Sequence, residues 1–249
     1  MKILSIDFDY FIDATREQRD KMFPGGIDAP VEASMGMWAE RYINFKELTF
    51  MDLNTIELIH VVMALSSSAY FNGKVPVYIT NSHKYAYYMT EELFHDERSV
   101  EIFNLDFHDD IYMSANFGQV CCGNWVYQLL KVREQRGLKT QYHWIRQEDS
   151  LMVPDMIDMY KGIEYEFDDV WDHKFDAVIL CRSDEWTPPH LDHGFKSLRD
   201  IIYSRDHFDI YESESITKIP HRKQELDRIY ATPADKNAET VIHVKREVE

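Results

Sequence analysis

Lys2-Ile3-Leu4-Ser5-Ile6-Asp7-Phe8-Asp9 is a short apolar run that ends in two carboxylates. A run this short, bounded by polar positions, reads as a strand buried on both faces. The pattern recurs at 75–79, 100–105, 140–145 and 177–181, with weaker runs at 208–211 and 240–244. Helical stretches lie between these runs. Residues 52–71 carry Leu53, Ile56, Ile59 and Met63 at helical spacing, with Asp52 placed as an N-cap. Residues 84–94 and 124–136 have the same character, and Gly137 stops the second. Pro188 and Pro189 open a further helix over about 190–205. Strand–helix alternation of this kind predicts an α/β fold: three α/β/α layers around a mostly parallel sheet. Ligands of such sheets bind outside the carboxyl ends of the strands.

The 249 residues, 45% of them hydrophobic, suffice for one core, and no linker divides them, so a single domain over 1–249 is expected. Residues 13–50 break the alternation. They hold Pro24, Gly25, Gly26 and Pro30, then Trp38, Tyr42 and Phe45, and read as an excursion packed over one sheet end. From about 231 the chain turns polar, and the tail is expected to be partly ordered. The formal charge is -17, from 44 acidic and 27 basic residues. Such a surface repels phosphate backbones, which argues against nucleic acid and suits a cationic substrate or bound metal. No run approaches the roughly 18 apolar residues that span a bilayer. Asp7 and Asp9 interrupt the N-terminal run as no signal peptide would. The three cysteines, Cys121, Cys122 and Cys181, make a poor disulfide framework, so a reducing cytoplasm is the expected location.

Several strands end in groups that can do chemistry. In an extended chain Asp7 and Asp9 share a face, and two carboxylates that close call for a cation. In Asn104-Leu105-Asp106-Phe107-His108-Asp109-Asp110 the alternation puts Asp106, His108 and Asp110 on one side, a metal-ligand set, with Asp109 facing away. His83 follows the strand at 75–79 and precedes a helix. The run ending Cys181-Arg182-Ser183-Asp184-Glu185-Trp186 supplies Asp184 or Glu185 to bind metal or to clasp a cationic substrate. His143 and His190 are candidate general acids without a geometric argument.

As a set, these residues resemble the ureohydrolases, the arginase and agmatinase family. That family has a His after one strand and Asp-x-His-x-Asp after another, as His83 and Asp106-x-His108-x-Asp110 stand here. Its Ser-x-Asp-x-Asp is similar to Ser5-Ile6-Asp7-Phe8-Asp9, and its Ser-Gly-Asn substrate loop to Cys122-Gly123-Asn124. One departure is large: the Asp-x-Asp strand opens this chain instead of following Asp-x-His-x-Asp, which implies a circularly permuted or otherwise rewired sheet. With Cys122-Gly123-Asn124-Trp125 and Ser183-Asp184-Glu185-Trp186, the order looks like that of the peptide arginases of ribosomal peptide biosynthesis. These convert peptidyl-arginine in a precursor peptide to peptidyl-ornithine plus urea. The resemblance covers about 1–192 but rests on about a dozen residues.

The resemblance implies two Mn²⁺ ions, one held by His83, Asp106, Asp110 and Asp7 and the other by His108, Asp106, Asp7 and Asp9. Asp106 and Asp7 would bridge, with a shared hydroxide as nucleophile. It implies that Asp110 orients that nucleophile and passes a proton to the leaving amine, and that Asp184 or Glu185 pairs with the guanidinium. Asn124 would contact substrate.

Two other readings use the same residues. Ile6-Asp7-Phe8-Asp9 with Val77-Tyr78-Ile79-Thr80-Asn81 also resembles the haloacid-dehalogenase-type phosphatases, with Asp7 as nucleophile and Asp9 as acid/base. That reading leaves His108 without a role. The other is a non-catalytic peptide-binding module, against which stand all six candidate ligands. A histone-deacetylase-like amidohydrolase, with a single metal, shares the sheet type.

Overall fold

The structure is a computed structural model that describes residues 1–23, 28–112, 118–150 and 165–231. Six strands form one parallel sheet: β1 (Lys2–Asp7), β4 (Val75–Thr80), β5 (Ser99–Leu105), β6 (Lys139–Ile145), β7 (Ala177–Cys181) and β8 (Phe208–Glu212). Their spatial order is β6-β5-β1-β7-β4-β8. A two-residue antiparallel pair, β2 (Ile12–Asp13) and β3 (Asp52–Leu53), stands apart from it. The first strand of the chain therefore lies inside the sheet, with Ile3 paired to Ile102 on one side and to Ala177 on the other. The candidate strand at 240–244 and the tail lie outside the described residues.

Alternate residues of each inner strand enter two different cores. Leu4, Ile6, Val178 and Leu180 join one; Ile3, Ala177 and Ile179 join the other. Helices α3 (Thr55–Ser66) and α6 (Asp192–Tyr203) cover the first face, through Leu58, Val61 and Leu65 and through Phe195, Leu198 and Ile202. Helices α4 (Lys84–Phe94) and α5 (Trp125–Gln135) cover the second, through Ala86, Phe94, Trp125, Val126 and Leu129. The architecture is the expected helix–sheet–helix.

The helix expected at 52–71 is shorter and differently turned. Asp52 lies in β3, and Asn54 is the N-cap, its side chain accepting from the Glu57 N–H. Ile56, Ile59 and Met63 face solvent, whereas Leu58, Val61 and Leu65 are buried. Leu53 belongs to β3, so it could not set the phase of the helix. With apolar residues on both sides, spacing alone does not tell the inner face from the outer one.

Within 13–50, α1 (Arg16–Met22) starts in a capping box of Thr15 and Gln18, and α2 (Val31–Asn44) follows. Both meet loops at the carboxyl end of the sheet. Trp38 Nε1 of α2 donates to the Asp184 carbonyl at 2.7 Å and Arg41 to the Glu185 carbonyl at 2.8 Å. Helices α7 (Glu214–Lys218) and α8 (Arg222–Ala231) close the described chain, and Arg222 of α8 reaches the same turn, donating to the Asp184 carbonyl at 2.8 Å. Among the described residues no helix is long and apolar enough to cross a membrane.

Candidate metal centre

Four neighbouring strands, β5, β1, β7 and β4, bring their carboxyl ends together. Strand β1 stops at Asp7, whose carboxylate caps a 3-10 turn over Phe8–Phe11 by accepting from the Asp9 N–H at 3.0 Å. Asp9 is thus delivered by a turn and not by strand alternation. Likewise β5 stops at Leu105. Asp106 caps the bend that follows, its Oδ1 accepting from the His108 N–H at 2.8 Å. Asp110 takes a left-handed backbone, φ 54°. The pattern in the sequence converges as expected, but through bends in place of an extended ribbon. Asp109 faces away and accepts from the Ile111 N–H at 3.2 Å.

His83 Nδ1 lies 2.9 Å from Asp106 Oδ2, 3.1 Å from Asp110 Oδ2 and 3.2 Å from Asp7 Oδ2. Its other nitrogen, Nε2, is 2.7 Å from Ser5 Oγ, which fixes the ring with Nδ1 towards the acids. His108 Nδ1 is 3.1 Å from Asp9 Oδ2 and 3.8 Å from Asp106 Oδ1. Two metal-competent groups result, Asp7–His83–Asp106 and Asp9–Asp106–His108, with Asp106 common to both. All ligand atoms within each group lie within 4.8 Å of one another. Despite these short separations, His83 Nδ1 and both oxygens of Asp9 have no partner of hydrogen-bond geometry among the described residues. Lone pairs that approach without pairing converge as ligands around an ion do, and mixed carboxylate and imidazole donors suit Mn²⁺.

The electrostatics point the same way. Burial, then the charges of Asp9 and Asp106, push the Asp7 carboxyl up to about 7. Burial and Asp110 bring Asp106 to about 7. Burial likewise raises Asp110. Burial alone would lower both imidazoles. Instead, the carboxylates of Asp106, Asp110 and Asp7 facing its ring hold His83 well above its ordinary value, and Asp9 takes His108 to about 9. Asp9 moves down against its own burial, because His108 and Arg19 face it. A site crowded with acids holds protons where a cation would replace them.

A supporting layer fixes the ligands. Trp125 Nε1 donates to Asp110 Oδ2 at 2.5 Å, and Trp144 Nε1 to the Asp106 carbonyl at 2.9 Å. Asn104 Nδ2 donates to Asp106 Oδ2 at 3.2 Å and to Tyr142 Oη at 3.0 Å. Buried Arg19, on α1, lies 3.8 Å above the Phe107 ring and donates to the carbonyls of Asp9 and Ile12 at 2.9 Å. Trp125, Trp144 and Arg19 were not legible in advance, because each comes from an element other than the one that carries its ligand. His108, with 35% of its side chain exposed, marks the open side, where its ring meets Trp186 at 4.7 Å.

Beside the cluster is a shallow, open-mouthed cleft lined by Asp28, Asn81, Ser82, Cys122 and the Ser183–Trp186 turn. Glu185 lies in its wall: Oε1 accepts from the Ala29 N–H, and Oε2 has no hydrogen-bond partner among the described residues. Asp184 is otherwise committed. Arg182 grips its carboxylate at 2.5 and 3.0 Å, and Arg222 stands 3.5 Å away. Of the two acids that the sequence left open, Glu185 has the oxygen to spare. Asn124 is likewise internal to its loop, accepting from the Cys121 N–H and donating to the Gln119 carbonyl, both at 2.8 Å, so that Cys122 lines the cleft in its place. His143 pairs with Glu101 on β5, and His190 with Tyr42 and the Met51 carbonyl. Neither lines the cleft. The three non-glycine residues with left-handed backbones among the described residues are Asp28, Asp110 and Ser183, all at this site. Set against family models, curated proteins and solved structures, the chain finds no match in any of the three.

Proposed function

We propose that this chain is a hydrolase that uses two divalent cations, Mn²⁺ by the character of the donors, to cleave a guanidinium group. The substrate in this reading is an arginine side chain carried on a peptide, and the products are a peptidyl-ornithine and urea. The carrying observation is Asp106, shared by two buried carboxylate–imidazole groups whose facing lone pairs do not pair with one another. Bound there, a pair of cations would make water a competent nucleophile near neutral pH.

The chain's own residues then have distinct tasks. His83, Asp7, Asp106, Asp9 and His108 hold the cations, with Asp110 on the His83 side. Asp110, raised by burial and tethered by Trp125, is placed to carry a proton to the amine that leaves when the carbon–nitrogen bond breaks. Glu185 Oε2 supports the choice of a cationic, donor-rich group, since an unpaired buried carboxylate oxygen favours an N–H partner. The peptide context rests on the resemblance of the motifs. Both histidines of the cluster would be idle in a phosphatase built on Asp7.

The test is metal content with product release. After loading with Mn²⁺ and dialysis, two ions per chain and urea from arginine-containing peptides are expected, with both lost or halved in Asp106→Asn. A wild type that retains no Mn²⁺, or a single weak Mg²⁺ indifferent to Asp106→Asn, would overturn the reading and direct attention to phosphatase chemistry at Asp7.

A further inference from the structure

Asn81 has no role in the ureohydrolase-like motifs, yet it stands at the end of β4, two residues before His83, and lines the same cleft as Glu185. It is nine-tenths buried, and its side-chain Oδ1 has no hydrogen-bond partner among the described residues. Its backbone is well held: the Asn81 carbonyl accepts from the Asp184 N–H at 3.0 Å, and the carbonyl of Thr80, next along, from the Arg182 N–H at 2.7 Å. These two bonds tie the end of β4 to the turn that carries Glu185, so the positions of Asn81 and Glu185 are set together. Asp28 braces the facing wall, accepting from Ser82 Oγ and from the Cys122 N–H at 3.0 Å. Both Asp28 oxygens are used, whereas Asn81 Oδ1 and Glu185 Oε2 are not.

Two buried acceptors without donors among the described residues, in side chains that line one cleft beside adjoining strand ends, are costly unless something donates to them. A guanidinium is a donor-only, planar cation with N–H groups spread along its edges. A primary ammonium is a compact point charge and lacks that span. We infer that Asn81 Oδ1 and Glu185 Oε2 together form a two-acceptor clasp for the guanidinium, with Asn81 as a specificity-determining residue that favours it over an ammonium. The inference rests on the proposed guanidinium chemistry and adds the residue that reads the shape of the group. An unmet acceptor in a desolvated site costs roughly a factor of 5 to 150 in affinity, which sets the expected discrimination.

The experiment is a binding titration of Mn²⁺-loaded protein with two probes, N-acetyl-arginine amide and N-acetyl-lysine amide. Wild type, Asn81→Ala and Asn81→Leu are compared, with metal content and melting temperature recorded for each. Wild type is expected to prefer the arginine probe at least tenfold. Both variants should lose at least fivefold of arginine affinity, with little change for lysine, and should keep both metals and the melting temperature. The variants remove an unpartnered acceptor, so they give no reason to misfold. If wild type prefers arginine and both variants keep that preference, the assignment of Asn81 is overturned while the guanidinium reading stands. A wild type that binds neither probe, or both alike, overturns the two together.

Discussion

Asp106→Asn should have opposite effects on the metal-free and the metal-loaded protein. Asp106 is 1% exposed, and its carboxyl is brought from 3.8 to about 7 in the folded chain, with the opposing pull of His83 already contained in that value. The folded state thus binds more protons than the unfolded state between these limits, so stability falls as pH rises through the window, and the full cost is present above pH 7. At 1.36 kcal/mol per pKa unit the penalty is on the order of 4 kcal/mol. Asn has nearly the same shape without the charge, and its Oδ1 can still accept from the His108 N–H. Stripped of metal at pH 8, Asp106→Asn should therefore melt higher than wild type, by up to about 8–16 °C at roughly 2–4 °C per kcal/mol. At pH 5 the folded carboxyl stays protonated while the unfolded one is already mostly ionised, so the difference should shrink to roughly 2 kcal/mol, and it should vanish only below pH 3.8. With Mn²⁺ the order should invert, because the substitution removes the ligand common to both groups. Thermal denaturation of chelator-treated and Mn²⁺-loaded protein at the two pH values makes the comparison. A metal-free mutant that melts below wild type at pH 8, or an equal Mn²⁺-dependent rise in both proteins, would refute the reasoning.

Three further outcomes follow from the geometry. Mn²⁺ binding at pH 7 should release protons, since Asp7 and Asp106 titrate near 7 and His108 near 9, and affinity should climb between pH 6 and 9; calorimetry in buffers of different ionisation enthalpy reads both, and a pH-independent affinity counts against the ligand set. Arg222→Met should cost about 3–5 kcal/mol in denaturant unfolding, because it strands Asp192 and weakens the hold on Asp184, while Mn²⁺ stoichiometry should stay at the wild-type value. On α3, Leu65→Ala should cost about 2–5 kcal/mol and Met63→Ala roughly 0.5 kcal/mol or less, a contrast that a helix turned to bury Met63 would reverse.

How far the sequence could be read depended on the range of the interactions involved. The run at 177–181 coincides with β7, and the run at 75–79 falls within a residue of β4, because inner strands of a parallel sheet must be apolar on both faces. The residues of Asp106-x-His108-x-Asp110 also meet, but the expected extended ribbon is a pair of bends with Asp110 left-handed, and alternation carries no record of that. Arg19, Arg41 and Arg222 read in sequence as ordinary surface charges. They are buried where their guanidinium groups donate to backbone carbonyls near the site, such as those of Asp9, Glu185 and Asp184. Asn81 was passed over for the same reason: an amide between a strand and a helix is unremarkable until its lack of a partner is seen. The loop bonds of Asn124 were not legible either, because a loop motif does not tell whether its amide points outward or closes the loop.

The interior position of β1 bears on how the molecule is made. Ile3 must wait for Ala177 before its second edge is covered. At synthesis rates of about 5–20 residues per second that interval is on the order of 10–35 s, and pairings so distant along the chain also fold slowly once available. Throughout that time the strand that leads into Asp7 and Asp9 has at most one neighbour. The candidate metal centre is therefore a late product of folding: a nascent chain halted before β7 carries all six candidate ligands, but β4, which leads into His83, has no strand to join it to β1.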